Sequence, residues 1–213
     1  MFKDQQTIKL FPCPVWLFDI NSDSVEIVNR NTMATIEQMR PSEKEGQPRQ
    51  QWQSPNDLHT FPEFEELNNI IKSTTSDVLK QQGVETDAFL ITGCWINIRP
   101  PAHDHPAHTH PNNYLSGCYY VNTPEGGDCI VFRDPKMMTN IIAPPLTRED
   151  EENSRTIMVP VRSGMVAIFP SWLPHLVPPN QGNIERVSIA FNIMFSSYGE
   201  TISKPSWTFD NNS

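Results

Sequence analysis

Two kinds of hydrophobic periodicity divide the chain near residue 86. Before that point, apolar side chains recur at helical spacing in residues 23–40 and again from Pro62 to Lys80. Pro41 ends the first segment, while glutamates in the first turn and Gly83 after the last turn delimit the second. The pattern predicts two helices, each with one apolar stripe that packs on other elements.

Beyond residue 86, short apolar or alternating runs follow one another, and no helical pattern of useful length separates them. The twenty prolines and nine glycines of the chain favour stiff loops between short strands. This order of elements predicts a mainly β fold, an antiparallel sandwich or barrel with the helices on one side. The predicted strands are 88–99, 114–122, 128–134, 156–161, 164–170 and 185–195.

The length of 213 residues predicts one domain with a substantial core. Within it we expect an N-terminal part (1–85) with an extended segment and two helices, a β core (86–197) and a loose polar tail (198–213).

Composition excludes some classes of partner. A formal net charge of -9 argues against nucleic acid and anionic membranes, which require a basic surface. No apolar run has the length of a membrane span, and the first residues lack a signal-peptide pattern. The four cysteines form no CxxC pair and are predicted to be reduced, which indicates a cytoplasmic location. The oligomeric state stays open, with a homodimer as one alternative.

Histidine is concentrated in one short stretch, because four of the six histidines lie between residues 103 and 110. His108 and His110 are two residues apart, so an extended backbone would turn both imidazoles to one side. The preceding HDHPAH is interrupted by proline and is predicted to be a loop. With His175, which follows the strand GMVAIFP, the pair makes a candidate metal site, since imidazole binds Fe, Zn, Cu or Ni. The alternative is a solvated loop that binds metal only adventitiously.

The segment ERVSIAFN places a second candidate group after His175. Its apolar residues alternate with polar ones, so that Arg186 and Ser188 share the face opposite the core. A guanidinium beside a hydroxyl can hold a carboxylate, which arginine grips through two parallel hydrogen bonds. The alternative is that Arg186 is an ordinary exposed side chain on a half-buried strand.

Taken together, these segments resemble the Fe(II)/2-oxoglutarate-dependent oxygenases. The resemblance is carried by HTHPNNYLSGCYYV, FPSWLPHLVPP and ERVSIAFN, and covers about residues 86–195, with the N-terminal LFPCPVWLFDI as a weaker extension. The sequence is most similar to a 2OG-Fe(II) oxygenase branch near the prolyl hydroxylases, where a YYLN-like strand follows the first ligands. Here that strand reads YYVN.

The resemblance implies a double-stranded β-helix (jelly roll) with the N-terminal helices packed on one sheet. It implies Fe(II), 2-oxoglutarate as co-substrate and O2, with hydroxylation of a peptide side chain or a small metabolite and release of succinate and CO2. The implied metal ligands and catalytic residues are His108, His110 and His175. The implied co-substrate residues are Arg186, Ser188, Tyr120, Asn97 and Ser116, with Tyr119 replacing Tyr120 if the parity of that strand is reversed.

The sequence departs from the family pattern at one ligand. The usual triad has two histidines and one carboxylate, written His-x-Asp, but His110 occupies the Asp position. Either the site uses three histidines, or a carboxylate such as Asp104 supplies a ligand.

Two other interpretations stay open. A cupin-type dioxygenase or isomerase also uses His-x-His and a distant histidine, but it usually adds a glutamate where this chain has Asn113 and Tyr114. A non-catalytic module with a structural metal is the other alternative, and it leaves the pair Arg186 and Ser188 without a role.

Overall fold

The computed structural model describes residues 3–41, 50–84, 88–136 and 144–197. The predicted tail (198–213) lies outside these residues, so it stays a prediction, as does the division into three parts. The polar stretch 41–60 was predicted to be a loop; residues 42–49 of it lie outside the described residues, and the rest contains a short strand (Trp52–Gln53) and a 3-10 turn (Leu58–Thr60). Two α-helices occur in the described residues, α1 (Ser22–Met39) and α2 (Glu65–Gln81). The strands are β1 (Trp16–Asp19), β2 (Trp52–Gln53), β3 (Phe89–Arg99), β4 (His105–His108), β5 (Leu115–Asn122), β6 (Cys129–Arg133), β7 (Thr156–Pro160), β8 (Met165–Pro170), β9 (His175–Val177) and β10 (Arg186–Phe195).

The helix ends follow local chemistry. Asn21 caps α1, since its side-chain oxygen accepts a hydrogen bond from the Ser24 amide at 2.9 Å. A short 3-10 turn (Pro62–Phe64) precedes α2, so the α-helix begins slightly later than the proline that was predicted to open it. Gly83 has a φ of +70° and follows the last turn of α2. None of the described helices combines the length and the apolarity that crossing a membrane would require.

The strands form two antiparallel sheets. The six-stranded sheet has the order β1-β8-β5-β10-β3-β2, and the four-stranded sheet has the order β4-β9-β6-β7. In the six-stranded sheet, β10 lies between β5 and β3 and pairs with both. The mainly β prediction is confirmed, and the two stacked sheets are those of a double-stranded β-helix.

Two apolar layers hold these elements together. One layer joins α1 and α2 to the outer face of the six-stranded sheet, and includes Leu67, Ile71, Ile96, Ile189 and Phe191. The other lies between the sheets and includes Tyr120, Ile130, Phe132, Ala167 and Phe169. The alternation in β10 therefore sends its apolar side chains toward the helices. We call the opposite face of this sheet, which faces the four-stranded sheet, the intersheet face.

Three strands were not predicted, namely β2, β4 and β9, whereas β1 lies in the N-terminal segment that was predicted to be extended. The correction that matters for function is β4, because the stretch around His105 was predicted to be a loop. The strand contains Pro106, and its register is irregular between His105 and His108, which is why its sequence lacks a strand pattern. The segment forms a strand because it pairs with the three-residue β9, although its own residues have little propensity for a strand.

Candidate metal centre

Three imidazoles converge between the sheets. His108 ends β4, His175 begins β9, and these two are paired residues in the register of the two strands. His110 follows two residues after the end of β4. One ring nitrogen from each of the three lies within 4.8 Å of the others, a separation that a single metal ion can bridge. Residues remote along the chain therefore meet at one point.

Backbone and ring contacts hold the three side chains in place. The His110 amide donates to the Ser171 carbonyl at 2.9 Å, which ties the segment after β4 to the loop between β8 and β9. The ring of His175 packs on Phe169 at 4.6 Å between centroids. The ring of His110 lies 6.2 Å from that of Trp95, on the intersheet face of β3. The cluster thus points into the space between the sheets.

Hydrogen bonds fix the tautomers of two of these imidazoles. Nδ1 of His108 lies 2.9 Å from the Pro106 carbonyl, and Nδ1 of His175 lies 2.9 Å from the Leu173 carbonyl. A carbonyl oxygen can only accept, so each Nδ1 carries the proton and donates it. Each Nε2 is left with a free lone pair, and this is how protein histidines are commonly oriented for a metal.

Burial keeps two imidazoles of the cluster, those of His110 and His175, in the neutral form. Together with the neighbouring imidazoles of His175 and His108, it lowers the pKa of His110 to about 4. It also lowers the pKa of His175 to about 4, although the hydrogen bond to Leu173 acts in the opposite direction. Near neutral pH both rings are therefore unprotonated, which is the form that binds a metal.

The alternative carboxylate ligand does not join the cluster. Asp104 is exposed and is not among the residues whose donor atoms converge. His105 stacks on His108 with 4.2 Å between ring centroids, but its Nδ1 lies 3.0 Å from Nη2 of Arg99. The described residues therefore offer three imidazoles and no carboxylate at this point.

A buried cation lies on the facing sheet. Arg186 is only 3 % exposed, and its Nη1 donates to the Cys129 carbonyl at 2.8 Å. Its guanidinium carbon sits 5.4 Å from the centre of the Tyr120 ring. Because Arg186 is buried, its interpretation as an ordinary exposed side chain is wrong. No ion pair involves Arg186 within the described ranges.

Other polar groups on the intersheet face lack partners. The Tyr120 hydroxyl and the Asn97 side-chain oxygen are buried and make no hydrogen bond. Ser188 pairs with both residues across the sheet, with Asn97 on one side and Tyr120 on the other. Buried polar groups without partners are costly, so this arrangement indicates a missing polar ligand.

The predicted co-substrate residues differ in detail from what was expected. Tyr120, not Tyr119, occupies the intersheet face, since the Tyr119 hydroxyl donates to Asn29 on α1 at 2.9 Å. Arg186 contacts the ring of Tyr120 and not its hydroxyl. The Ser116 hydroxyl is already used, because it donates to the Asn192 side chain at 2.7 Å.

Arg99 and His105 were missed by the sequence reasoning. Arg99 is the register partner of Arg186 and is buried. The alternation of β3 would have found it, because Arg99 shares its face with Asn97 and Trp95. His105 could not be found in the same way, since the strand that orients it was not recognised.

Comparisons with known proteins agree with this geometry. Residues 93–192 match a family model described as "Putative 2OG-Fe(II) oxygenase". No curated protein matches the sequence. The fold is similar to that of the non-heme alpha ketoglutarate dependent carbocyclase SnoK from nogalamycin biosynthesis, with a TM-score of 0.62 and 13 % identity, covering 90 % of this chain and 87 % of that one.

Two further solved structures share the fold. HygX from Streptomyces hygroscopicus, determined with nickel and 2-oxoglutarate bound, has a TM-score of 0.60 and 15 % identity, over 86 % of this chain and 83 % of that one. A prolyl-4-hydroxylase from Pseudomonas putida has a TM-score of 0.58 and 14 % identity, over 86 % and 93 % of the two chains. The resemblance to 2OG-Fe(II) oxygenases and the double-stranded β-helix fold are confirmed, and the predicted cofactors are those of the matched family.

Proposed function

We propose that this chain, whose residues 93–192 match the 2OG-Fe(II) oxygenase family, is an Fe(II)- and 2-oxoglutarate-dependent oxygenase. In this proposal His108, His110 and His175 bind the metal, and Arg186 with Ser188 binds the distal carboxylate of 2-oxoglutarate. The observation that carries it is that the imidazole cluster and the buried guanidinium of Arg186 lie between the same two sheets. Within the described residues, this guanidinium has no ion-pair partner.

The metal fits the donor set. Neutral imidazoles with free Nε2 atoms suit Fe(II), and the hydrogen bonds of His108 and His175 to carbonyls hold these rings in one orientation. Three neutral ligands leave the full charge of a divalent ion uncompensated. A dianionic co-substrate is attracted more strongly to such a centre than to one that already contains a carboxylate.

The residues between the imidazole cluster and Arg186 suit 2-oxoglutarate. Arg186 rests over the ring of Tyr120, which belongs to the same apolar cluster as Phe169, and His175 packs on Phe169. A linear dicarboxylate could extend from the imidazoles to the guanidinium along this path. The unpartnered Tyr120 hydroxyl and Asn97 side chain would then receive hydrogen-bonding partners.

When bound, Fe(II) with 2-oxoglutarate and O2 supplies the oxidising chemistry, in which 2-oxoglutarate is converted to succinate and CO2. The residues of the chain orient the reactants and exclude water. Phe132 and Phe169 form an edge-to-face pair with centroids 5.1 Å apart, and both flank His175. An apolar lining that excludes water strengthens the electrostatic attraction between the site and the co-substrate.

For the outcome of the reaction we infer hydroxylation of a peptide side chain or a small metabolite. Solved structures of this fold include a prolyl hydroxylase in complex with a peptide fragment and a carbocyclase, and peptide and small-molecule substrates are therefore both compatible with the architecture. The four cysteines are free, as expected for the cytoplasmic location we propose. A homodimer stays a prediction, which sedimentation of the purified protein tests.

The test is the conversion of 2-oxoglutarate to succinate by the Fe(II)-loaded protein, together with calorimetric binding of 2-oxoglutarate to the inert Mn(II) form. We expect Arg186→Met to weaken 2-oxoglutarate binding by about a hundredfold, the effect of losing a buried charge-assisted pair. Arg162→Met is the matched control, because Arg162 is exposed and pairs with Asp19 on β1. Wild-type protein that binds Mn(II) but not 2-oxoglutarate would exclude the proposal.

A second candidate function follows from the donor set. Three histidines without the aspartate of the usual triad are also compatible with a cupin-type metal-dependent dioxygenase or isomerase that does not use 2-oxoglutarate, although this chain lacks the glutamate that cupins usually add. In that case Arg186 has no assigned task, and Arg186→Met leaves metal-dependent activity intact. Independence of turnover from 2-oxoglutarate distinguishes this alternative.

A further inference from the structure

The intersheet face carries a second buried cation beside Arg186. Arg99 ends β3 and is the direct register partner of Arg186 on β10. It is 9 % exposed, and no carboxylate among the described residues forms an ion pair with it. The charge of the exposed Asp104 acts on Arg99 and raises its pKa, but Asp104 forms no ion pair with this guanidinium and does not cancel the effects of burial and of Arg186.

Two adjacent buried cations are energetically unfavourable. Burial lowers the pKa of Arg99, and the charge of Arg186 lowers it further. A buried charge without a counter-ion is among the most costly features of a folded protein. Such a pair is therefore expected where anionic ligands bind, and one carboxylate on Arg186 leaves Arg99 without a counter-ion.

The contact with His105 fixes the chemistry of this second site. Nη2 of Arg99 lies 3.0 Å from Nδ1 of His105. Because a guanidinium only donates, Nδ1 must accept, and the proton of the His105 ring is on Nε2. His105 is thereby a hydrogen-bond donor and not a metal ligand, although its ring stacks on His108. The pair offers guanidinium and imidazole N–H groups, a donor set that suits a carboxylate.

The two arginines extend toward different walls. Arg186 reaches β5 and β6, where it contacts Tyr120 and the Cys129 carbonyl. Arg99 reaches β4, where it contacts His105 beside the ligand His108. A dicarboxylate that runs from the metal to Arg186 would end at β5 and β6, whereas Arg99 faces His105 on β4. The charge of Arg99 is left for another molecule.

We propose that Arg99 and His105 form a second carboxylate site, which binds an acidic group of the substrate to be oxidised. This inference rests on the proposed function and specifies its substrate class: molecules that bear a carboxylate close to the C–H bond that reacts. Contact of His105 with the ligand His108 places that carboxylate next to the metal centre, so the site sets both affinity and the position of attack.

The test uses the protein loaded with Mn(II) and saturated with 2-oxoglutarate, which binds but does not turn over. N-acetyl amino acids and benzoate are compared with their neutral carboxamides by thermal shift and calorimetry. We expect at least one acid to bind wild-type protein at least about tenfold more tightly than its amide, the value of a charge-assisted hydrogen bond. Arg99→Met removes this difference, Arg99→Lys restores part of it, and the exposed control Arg162→Met retains it.

A second measurement separates the substrate carboxylate from that of the co-substrate. Arg99→Met is expected to change the affinity for 2-oxoglutarate less than about threefold, whereas Arg186→Met lowers it about a hundredfold. Equal losses in the two variants would show that Arg99 belongs to the co-substrate site, and would overturn the inference. The same holds if no acid binds wild-type protein better than its amide. Failure of wild-type protein to bind 2-oxoglutarate refutes the proposed function instead, and is recognised before any acid is added.

Discussion

Acidification of the metal-free protein should destabilise it through the buried imidazole of His175. This side chain is 4 % exposed and its pKa is lowered from 6.5 to about 4. Between these two values the unfolded chain binds a proton that the folded chain does not bind. Stability is therefore full above the unfolded value and is lost as the pH falls toward the folded value.

The size of this effect follows from the two pKa values. The lowering of the His175 pKa from 6.5 to about 4 can change the free energy of unfolding by at most roughly 3 kcal/mol. Between about pH 7 and pH 5, the linkage relation gives a loss of about 2 kcal/mol in this free energy. His110 and His105 add losses of the same sign, because their pKa values are also lowered to about 4. These are smaller than their shifts indicate, since both rings are partly exposed and screened by water.

Urea unfolding with a chelator at the two pH values measures this difference, with His175→Gln as the variant that lacks the titrating ring. Protonation of surface carboxylates affects both proteins alike and cancels in the comparison. We expect the free energy of unfolding of wild-type protein to fall by about 2 kcal/mol more than that of the variant. Equal pH dependence in the two proteins would refute the description of His175 as a buried neutral imidazole.

Two further predictions address packing and ligation. Gly117→Ala should lower the free energy of unfolding by about 3 kcal/mol in urea denaturation, because the added carbon would overlap the Phe191 ring and lie 2.8 Å from the Ala167 carbonyl. An unchanged midpoint would contradict this packing. Asp104→Asn should leave the affinity for Mn(II), measured by calorimetry, within about twofold of wild type, since Asp104 is exposed and outside the cluster. His110→Ala should lower this affinity at least about tenfold. A large loss of affinity in the Asp104 variant would show that the carboxylate is a ligand after all.

Much of the β core follows from its alternation. In β10 the sequence pattern predicts which residues face the core, and the structure confirms it, with Ile189 and Phe191 toward the helices. The same parity argument in β5 favours Tyr120 over Tyr119, as observed. These strands are long and strictly patterned, so that a one-residue error would bury polar side chains.

The surroundings of the candidate metal ligands were less predictable. Strand β4 carries few apolar residues and contains Pro106, so its existence depends on pairing with β9 and not on its own sequence. Without β4, the contact between Arg99 and His105 cannot be anticipated. The question between His110 and Asp104 was likewise undecidable from spacing, because it depends on how the chain turns after the strand ends.

The central claim is that His108, His110 and His175 bind one metal ion, with 2-oxoglutarate extending from that ion to Arg186. A crystal structure grown without oxygen in the presence of Fe(II) and 2-oxoglutarate tests it most directly. We predict one ion at about 2.1 Å from a nitrogen of each histidine, and the distal carboxylate of 2-oxoglutarate on the guanidinium. An ion that binds away from His175, or a co-substrate that leaves Arg186 without a carboxylate, would contradict the account.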